Sequence, residues 1–203
     1  CAKIHIVEIK SIKLKAGKEK SSLRLHPWIF SGALNTGHEM AENGDLVKVY
    51  THKNKFLCIG HYQDLGSIAV RTISFKDIDI DQHFWNKKIE NALSVRKNLS
   101  LINSVNNVYR LIHGEGDGLP GLIIDFYNDT AVIQCHSVGM YKSLENIKNA
   151  LIHVYGDKMV SIYNKSSETI SKDYPIENGY IYKVSDPEKI ALEYGHKFSV
   201  DWE

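Results

Sequence analysis

The chain has 203 residues, 43% of them hydrophobic, enough apolar material for one large domain or two small ones with separate cores. Its formal charge of +1, from 25 basic and 24 acidic residues, excludes a global attraction to nucleic acid or to a membrane surface, so any such contact needs local clustering. No apolar run is long enough to cross a bilayer, and the N-terminus CAKIHIVEIKSIKLK alternates where a signal sequence would be continuously apolar; the expected location is the cytoplasm, with no membrane partner.

Up to about Phe75 the pattern is one of short strands: KIHIVEIKSIKLK, DLVKVYT, FLCIGHY and SIAVRTISF, with HKNK (52–55) as a hairpin loop. Between the first and second of these lies LRLHPWIFSGALNTGHEMAENGD, with Pro27 ahead of an apolar cluster and Gly32, Gly37 and Gly44 as breakers. Together they predict a small closed β-barrel with a short helical insertion. A helix follows, with Asp81 as its N-cap and Trp85, Ile89, Ala92 and Leu93 on one apolar face. Lys87, Lys88, Arg96 and Lys97 fall on its outer positions, where a solvated face is the expectation and a phosphate track the alternative.

The pattern then becomes mixed. VYRLIH, LIIDFY and TAVIQCHS are strands, with Asn128–Asp129 as the turn between the last two. Leu144, Ile147, Leu151 and Val154 mark an amphipathic helix stopped by Gly156. MVSIYNK and YIYKV are further strands, and IALEYGHKFSVDW closes the chain with a hairpin turn at Gly195–His196. The expected domains are a barrel over 4–76, a linker helix over 77–100 and an α+β domain over 101–203.

Three cysteines, Cys1, Cys58 and Cys135, are odd in number and scattered, which excludes a disulfide framework and a C-x-x-C zinc pair, so no metal ligands are assigned. Cys58 and Cys135 lie in strand-like runs and are expected to be small buried hydrophobes.

The densest motif is HGEGDGLPGLIIDFYND, 113–129, with four glycines and Pro120 between Gly114 and Gly121. Gly116, Gly118 and Gly121 match the G-x-G-x-x-G spacing of a dinucleotide loop, but that loop must enter a helix, and the segment after Gly121 is a β-type run. A nucleotide cofactor is therefore not expected here. Two readings of the loop stay open. It is a scaffold of positive-φ glycines, or it is a site built from Arg110, His113, Glu115, Asp117 and Asp125, which crowd charge onto it.

The string YRLIHGEGDGLPGLIIDFY resembles the central-domain signature of bacterial class I SAM-dependent methyltransferases that make 5-methylcytosine in large-subunit rRNA. LRLHPWIFSGAL, followed by GDLVKVY, FLCIGHY and IAVRTIS, is similar to the PUA domain that begins those proteins, and the resemblance runs from about Val7 to Trp202. It implies a mixed α/β fold class: an N-terminal PUA-like β-barrel, then a small α+β central domain, with the Rossmann-like methyltransferase domain absent from this chain. EYGHKFSVDWE looks like the hairpin that leads into the donor-binding domain, so the chain is expected to be a piece of a longer protein.

The resemblance implies S-adenosyl-L-methionine as cofactor of the parent protein, with none expected on this chain. Methylating C5 of cytosine needs a cysteine thiolate, a base and a bound sulfonium donor. Neither Cys58 nor Cys135 lies in a loop that would present a thiolate, so no catalytic residue is assigned and the chain alone is not expected to catalyse.

In PUA domains RNA lies along the short helix and the glycine loop after it, here Arg24 to Gly37. By that resemblance the candidate RNA-binding residues are Arg24, His26, Trp28, Ser31, Gly32, Asn35 and Arg71. Arg24 suits phosphate, His26 and Trp28 offer ring faces, Gly32 admits close backbone approach, and Asn35 suits a base edge. For Trp28, Ile29 and Phe30 the competing expectation is that they plug a barrel end; for Arg71 it is an ordinary exposed strand cation. The family's central domain often carries an arginine after the strand read here as SIYNKSSETI; this chain has Asn164 and Lys165 instead, which removes a planar guanidinium contact. The expected partner is RNA, large-subunit rRNA in the first place, with monomer and homodimer both open. The rival expectation is a stand-alone PUA-type RNA adaptor with a protein-interaction domain.

Overall fold

A computed structural model describes residues 9–36, 40–64, 66–185 and 189–203. It divides into two compact units, Cys1–Ile78 and Asp79–Glu203.

The first unit is a five-stranded sheet in the order β1-β3-β4-β5-β2. Its strands are β1 (Lys10–Lys13), β2 (Trp28–Phe30), β3 (Leu46–Tyr50), β4 (Phe56–Tyr62) and β5 (Ile68–Ser74). β1 runs parallel to β3 and the other neighbours are antiparallel. The residues just after β2 return to β1 through a Leu14–Leu34 bridge, with Lys15 N donating to Ala33 O and Asn35 N to Lys13 O, and this closes the sheet. Alternation in β3 sends Val47 and Val49 inward, where they meet Ile12, Leu14, Ile29, Leu57 and Val70 in one core. β4 is buried almost throughout, and at Gly60 it passes so close to β5 that a Cβ would lie 2.4 Å from Arg71 O. Only glycine fits there.

The predicted helical insertion is present only as short turns on either side of a strand, the second a 3-10 turn at Ser31–Ala33. α1 (Lys20–Leu23) is a single turn, and the WIF triplet forms β2, antiparallel to β5. Pro27 O accepts from Thr72 N at 2.8 Å, which sets the register, and a run of Trp, Ile and Phe favours pleated backbone over helix. The predicted first strand is confined to Lys10–Lys13 among the described residues; its earlier part and Gly37 lie outside them.

The second unit holds a sheet in the order β10-β9-β8-β7-β6 and a separate β11–β12 hairpin. The strands are β6 (Val108–His113), β7 (Leu122–Tyr127), β8 (Thr130–Cys135), β9 (Ser161–Asn164), β10 (Gly179–Tyr182), β11 (Lys189–Glu193) and β12 (His196–Val200). Helices α3 (Val138–Lys142) and α4 (Leu144–Tyr155) make the crossover between the parallel pair β8–β9. Helix α2 (Gln82–Asn98) belongs to this unit and packs on α4 and β6; Asp81 caps it, accepting from Phe84 N at 3.0 Å.

Each face of this sheet has its own aromatic group. Phe126 stacks on Tyr155 of α4 at 4.5 Å and on Tyr109 at 5.2 Å. One residue on, Tyr127 points the other way and stacks on Trp202 at 6.1 Å, beside Val132 and Tyr163. The β11–β12 turn is Tyr194–Gly195, one residue earlier than predicted, with φ of +49° and +82°.

Candidate nucleic-acid interface

Period-two geometry decides what the WIF triplet does. Ile29 enters the barrel core at 2% exposure, while Trp28 is half-buried and Phe30 is 46% exposed on the opposite face. The expectation that the whole triplet plugs the barrel therefore holds for Ile29 alone. His26, Trp28 and Phe30 form an aromatic cluster, with ring centroids 5.9 Å apart for His26–Trp28, 6.4 Å for His26–Phe30 and 6.5 Å for Trp28–Phe30. Trp28 N donates to His26 Nδ1 at 3.1 Å.

Arg71 stands opposite Trp28 on β5 and donates to Gln63. Arg24 is exposed, and its side chain makes no hydrogen bond or ion pair with a described residue. Ser31, Gly32 and Asn35 lie farther along, in and after a 3-10 turn that packs on the end of β1. Gly32 O accepts from Lys15 Nζ at 3.3 Å, and a Cβ on Gly32 would meet nothing within 4 Å, so this glycine is not needed for packing within the chain.

Two features of this surface are absent from the sequence prediction. Phe30 was grouped with the core, although strand alternation would have separated it from Ile29. The second is charge: residues 10–24 hold Lys10, Lys13, Lys15, Lys18, Lys20 and Arg24 against Glu19 alone. The near-zero net charge hides this local cluster, and a windowed count would have found it. Lys10 is engaged with Asp45 at 2.7 Å.

The glycine loop is organised differently. Residues 114–117 form a 3-10 turn that ends at Gly118 in left-handed geometry, and Gly121 enters strand β7 where a dinucleotide site would need a helix. Asp117 is the centre of a lock: both carboxylate oxygens accept from Arg96, the second bond at 2.8 Å, and Oδ2 also accepts from His113 N at 2.6 Å. Both side chains are about nine-tenths buried. Arg96 Nε donates to Arg110 O at 2.9 Å, and Lys88 Nζ donates to Gly118 O at 2.9 Å. Burial lowers the Lys88 pKa, and the Asp117 charge partly opposes this.

Lys88 and Arg96 are thus not on a solvated face. They point at the loop, because α2 lies along β6 and carries them to its end. The same bonds cap the exposed edge of the sheet. Arg110 O and His113 N on edge strand β6 are satisfied by Arg96 and Asp117, and Val108 O by Asn106 Nδ2 at 3.2 Å. Arg110 is paired with its cross-strand neighbour Asp125 by two bonds of 2.8 and 2.9 Å. Of the five charged residues singled out around the loop, Arg110, Asp117 and Asp125 are held in hydrogen-bonded pairs, while His113 and Glu115 are exposed, with the Glu115 charge acting on His136.

Asn164 and Lys165 also serve the fold. Asn164 Nδ2 donates to Glu177 O at 3.0 Å, and Lys165 Nζ donates to Trp202 O at 2.7 Å. Cys58 and Cys135 are fully buried, and burial pushes their thiols up to about 11 and about 12, which keeps both protonated at neutral pH. Among the described residues there is no cluster suited to a metal ion and no helix long and apolar enough to cross a membrane.

Residues 12–75 match the family described as a PUA-like domain. The chain is 34% identical over 194 residues to the ribosomal RNA large subunit methyltransferase I of Vibrio vulnificus strain CMCP6, covering 94% of this chain and 48% of that protein. It is 34% identical over 195 residues to the protein of the same name from Aliivibrio fischeri strain ES114, with the same coverage. A solved structure described as a SAM-dependent methyltransferase from Streptococcus mutans aligns with a TM-score of 0.77 at 19% identity, covering 95% of this chain and 48% of that one. A second, of the methyltransferase SMU.776 complexed with SAH, aligns with a TM-score of 0.78. The chain carries a PUA-like domain and is homologous to rRNA large subunit methyltransferase I, and it spans about half the length of the curated relatives it matches.

The alignments correct the expected fold class. That expectation sets the methyltransferase fold apart from this chain as absent, because the resemblance covers the PUA and central domains and ends at the EYGHKFSVDWE hairpin. Instead, 95% of the chain superposes on SAM-dependent methyltransferase structures, so the fold present here is itself one of theirs.

Proposed function

We propose that this chain recognises RNA in the SAM-dependent methylation of large-subunit rRNA at C5 of cytosine, and that the β2 face of the PUA-like unit is where RNA is held. The observation that carries this reading is the outward aromatic cluster His26–Trp28–Phe30 beside Arg24, an exposed cation with no side-chain partner among the described residues. Exposed rings accept unstacked bases, and a free guanidinium pairs with phosphate. The lysines of residues 10–24 extend the positive surface toward Ser31, Gly32 and Asn35. Arg71 is the cross-strand neighbour of Trp28 on β5. The glycine loop of the second unit is a scaffold in this reading, since Asp117, Arg110 and Asp125 are already bonded within the chain.

Because the chain is nearly neutral overall, binding rests on these local contacts and falls steeply as salt rises. The test is filter binding of a labelled large-subunit rRNA fragment to the chain and to Arg24→Ala and Phe30→Ala variants across a salt series. Arg24→Ala is expected to weaken binding and to flatten the salt slope by about one ion. Phe30→Ala is expected to cost about 1–3 kcal/mol of affinity with little change in salt slope. Equal affinity of all three proteins would refute the assignment of this face.

A further inference from the structure

A cavity lies in the second unit, between the C-terminal turns of α2 and α4 and the sheet, with a volume of about 260 Å³. That is below the roughly 300–1,000 Å³ of drug-sized sites, and suits one compact ring system with a substituent left outside. Tyr109, Phe126 and Tyr155 line it, the three rings stacked in series, with Val154 at the wall.

Its polar groups include donors that no described residue accepts from. The Tyr109 and Tyr155 hydroxyls meet at 2.9 Å, and that bond uses one of their two protons; no described residue accepts the other. Asn128 accepts from Asn107 Nδ2 at 3.1 Å, while its own Nδ2 has no described acceptor. Lys97 and Lys158 are exposed at the rim, and neither makes an ion pair with a described residue. Burial pushes the Tyr109 hydroxyl up to about 12, and Tyr155 higher still, so both stay protonated. An aromatic-lined cavity with surplus hydroxyl and amide donors inside and two free cations at its mouth calls for a flat ring rich in acceptors that carries an anionic group.

We infer that this cavity binds a nucleotide, its base against the Tyr109–Phe126–Tyr155 stack and its phosphate at Lys97 and Lys158. Carbonyl oxygens or ring nitrogens of the base accept the spare Tyr and Asn128 protons. The site is separate from the β2 face and does not depend on RNA binding there. The nucleotide can be a free mononucleotide or one residue of an RNA strand.

The test is titration of the 203-residue chain, followed by amide NMR and calorimetry, with the four nucleoside 5′-monophosphates, with inorganic phosphate, and with a short single-stranded oligoribonucleotide. Two variants accompany it: Lys97→Glu/Lys158→Glu, which reverses the rim charge, and Val154→Trp, which fills the cavity. Saturable binding of at least one monophosphate, weakened tenfold or more by the charge reversal and abolished by Val154→Trp, supports the site with a free nucleotide as ligand. Binding of the oligoribonucleotide alone, weakened by the same variants, supports it with RNA as the source. Phosphate binding as tightly as every monophosphate overturns it, as does binding that neither variant alters, or no binding at all. Should RNA affinity respond to Arg24→Ala while no monophosphate binds and the cavity variants change nothing, the inference falls and the β2-face reading stands; monophosphate binding without any RNA affinity gives the reverse.

Discussion

The β2 face and the glycine loop both drew notice for polar and aromatic residues at high density, yet they use them in opposite ways. Around the loop, charge is turned inward: Asp117 takes three hydrogen bonds, Arg96 reaches two segments, and Arg110 is matched by Asp125. On the β2 face, Arg24 has no described side-chain partner and Phe30 remains 46% exposed beside His26 and Trp28. Groups that are satisfied within the chain contribute to stability, whereas groups left unsatisfied at a surface are available to a ligand. Charge density alone does not separate a site from a scaffold; the partners do.

The difference is measurable, and Arg96→Ala should show it most strongly. Removing the guanidinium leaves Asp117, 10% exposed, without its cation, and breaking such a buried pair costs about 3–5 kcal/mol. Urea unfolding would register the loss. Arg24→Ala, on the other side of the contrast, should stay within about 0.5 kcal/mol of the parent. A destabilised Arg24→Ala or an unperturbed Arg96→Ala would reverse the assignment of the two regions.

Gly118→Ala comes next. Its φ of +66° is unfavourable for a residue with a Cβ, and that Cβ would lie 2.9 Å from Lys88 Nζ, so the ammonium must leave Gly118 O. About 1–3 kcal/mol is expected, with faster amide exchange over the loop as the local readout. Arg110→Ala should cost less, at most about 1 kcal/mol, because its pair with Asp125 is 43% exposed on the arginine side and screened by solvent.

The smallest effect is a pH slope from Lys88. Its folded-state pKa lies below the model-compound value of 10.5, so the unfolded chain binds more protons between the two values. Stability attributable to this group therefore rises as pH climbs through that window. Lys88→Met should lose the rise, seen as a flatter dependence of the unfolding midpoint on pH in the alkaline range.

Much of the architecture could be read from the chain directly. Asp81 caps α2 as its spacing requires, Gly156 stops α4, and Asn128 turns β7 into β8 with a φ of +58°. Each is local, decided by a residue's own backbone preference or by a side chain acting on backbone within four residues. The likeness of LRLHPWIFSGAL and YRLIHGEGDGLPGLIIDFY to rRNA methyltransferases also preceded the structure, and homology along 94% of the chain agrees with it. The strand that follows Gly121 was legible too, from the β-type pattern of LIIDFY.

What sequence left undecided has one physical character. Whether Lys88 and Arg96 face water depends on where α2 lies against β6, and whether Trp28 and Phe30 face inward depends on β2 joining β5 as a strand. The cavity bounded by Tyr109, Tyr155, Lys97 and Lys158 depends on elements up to 61 residues apart, from Lys97 to Lys158, meeting over one sheet. Composition and spacing determined the elements, their caps and the family likeness. Tertiary packing alone decided which polar groups find partners, since a donor or a charge is neutralised by whatever long-range folding brings within about 3 Å.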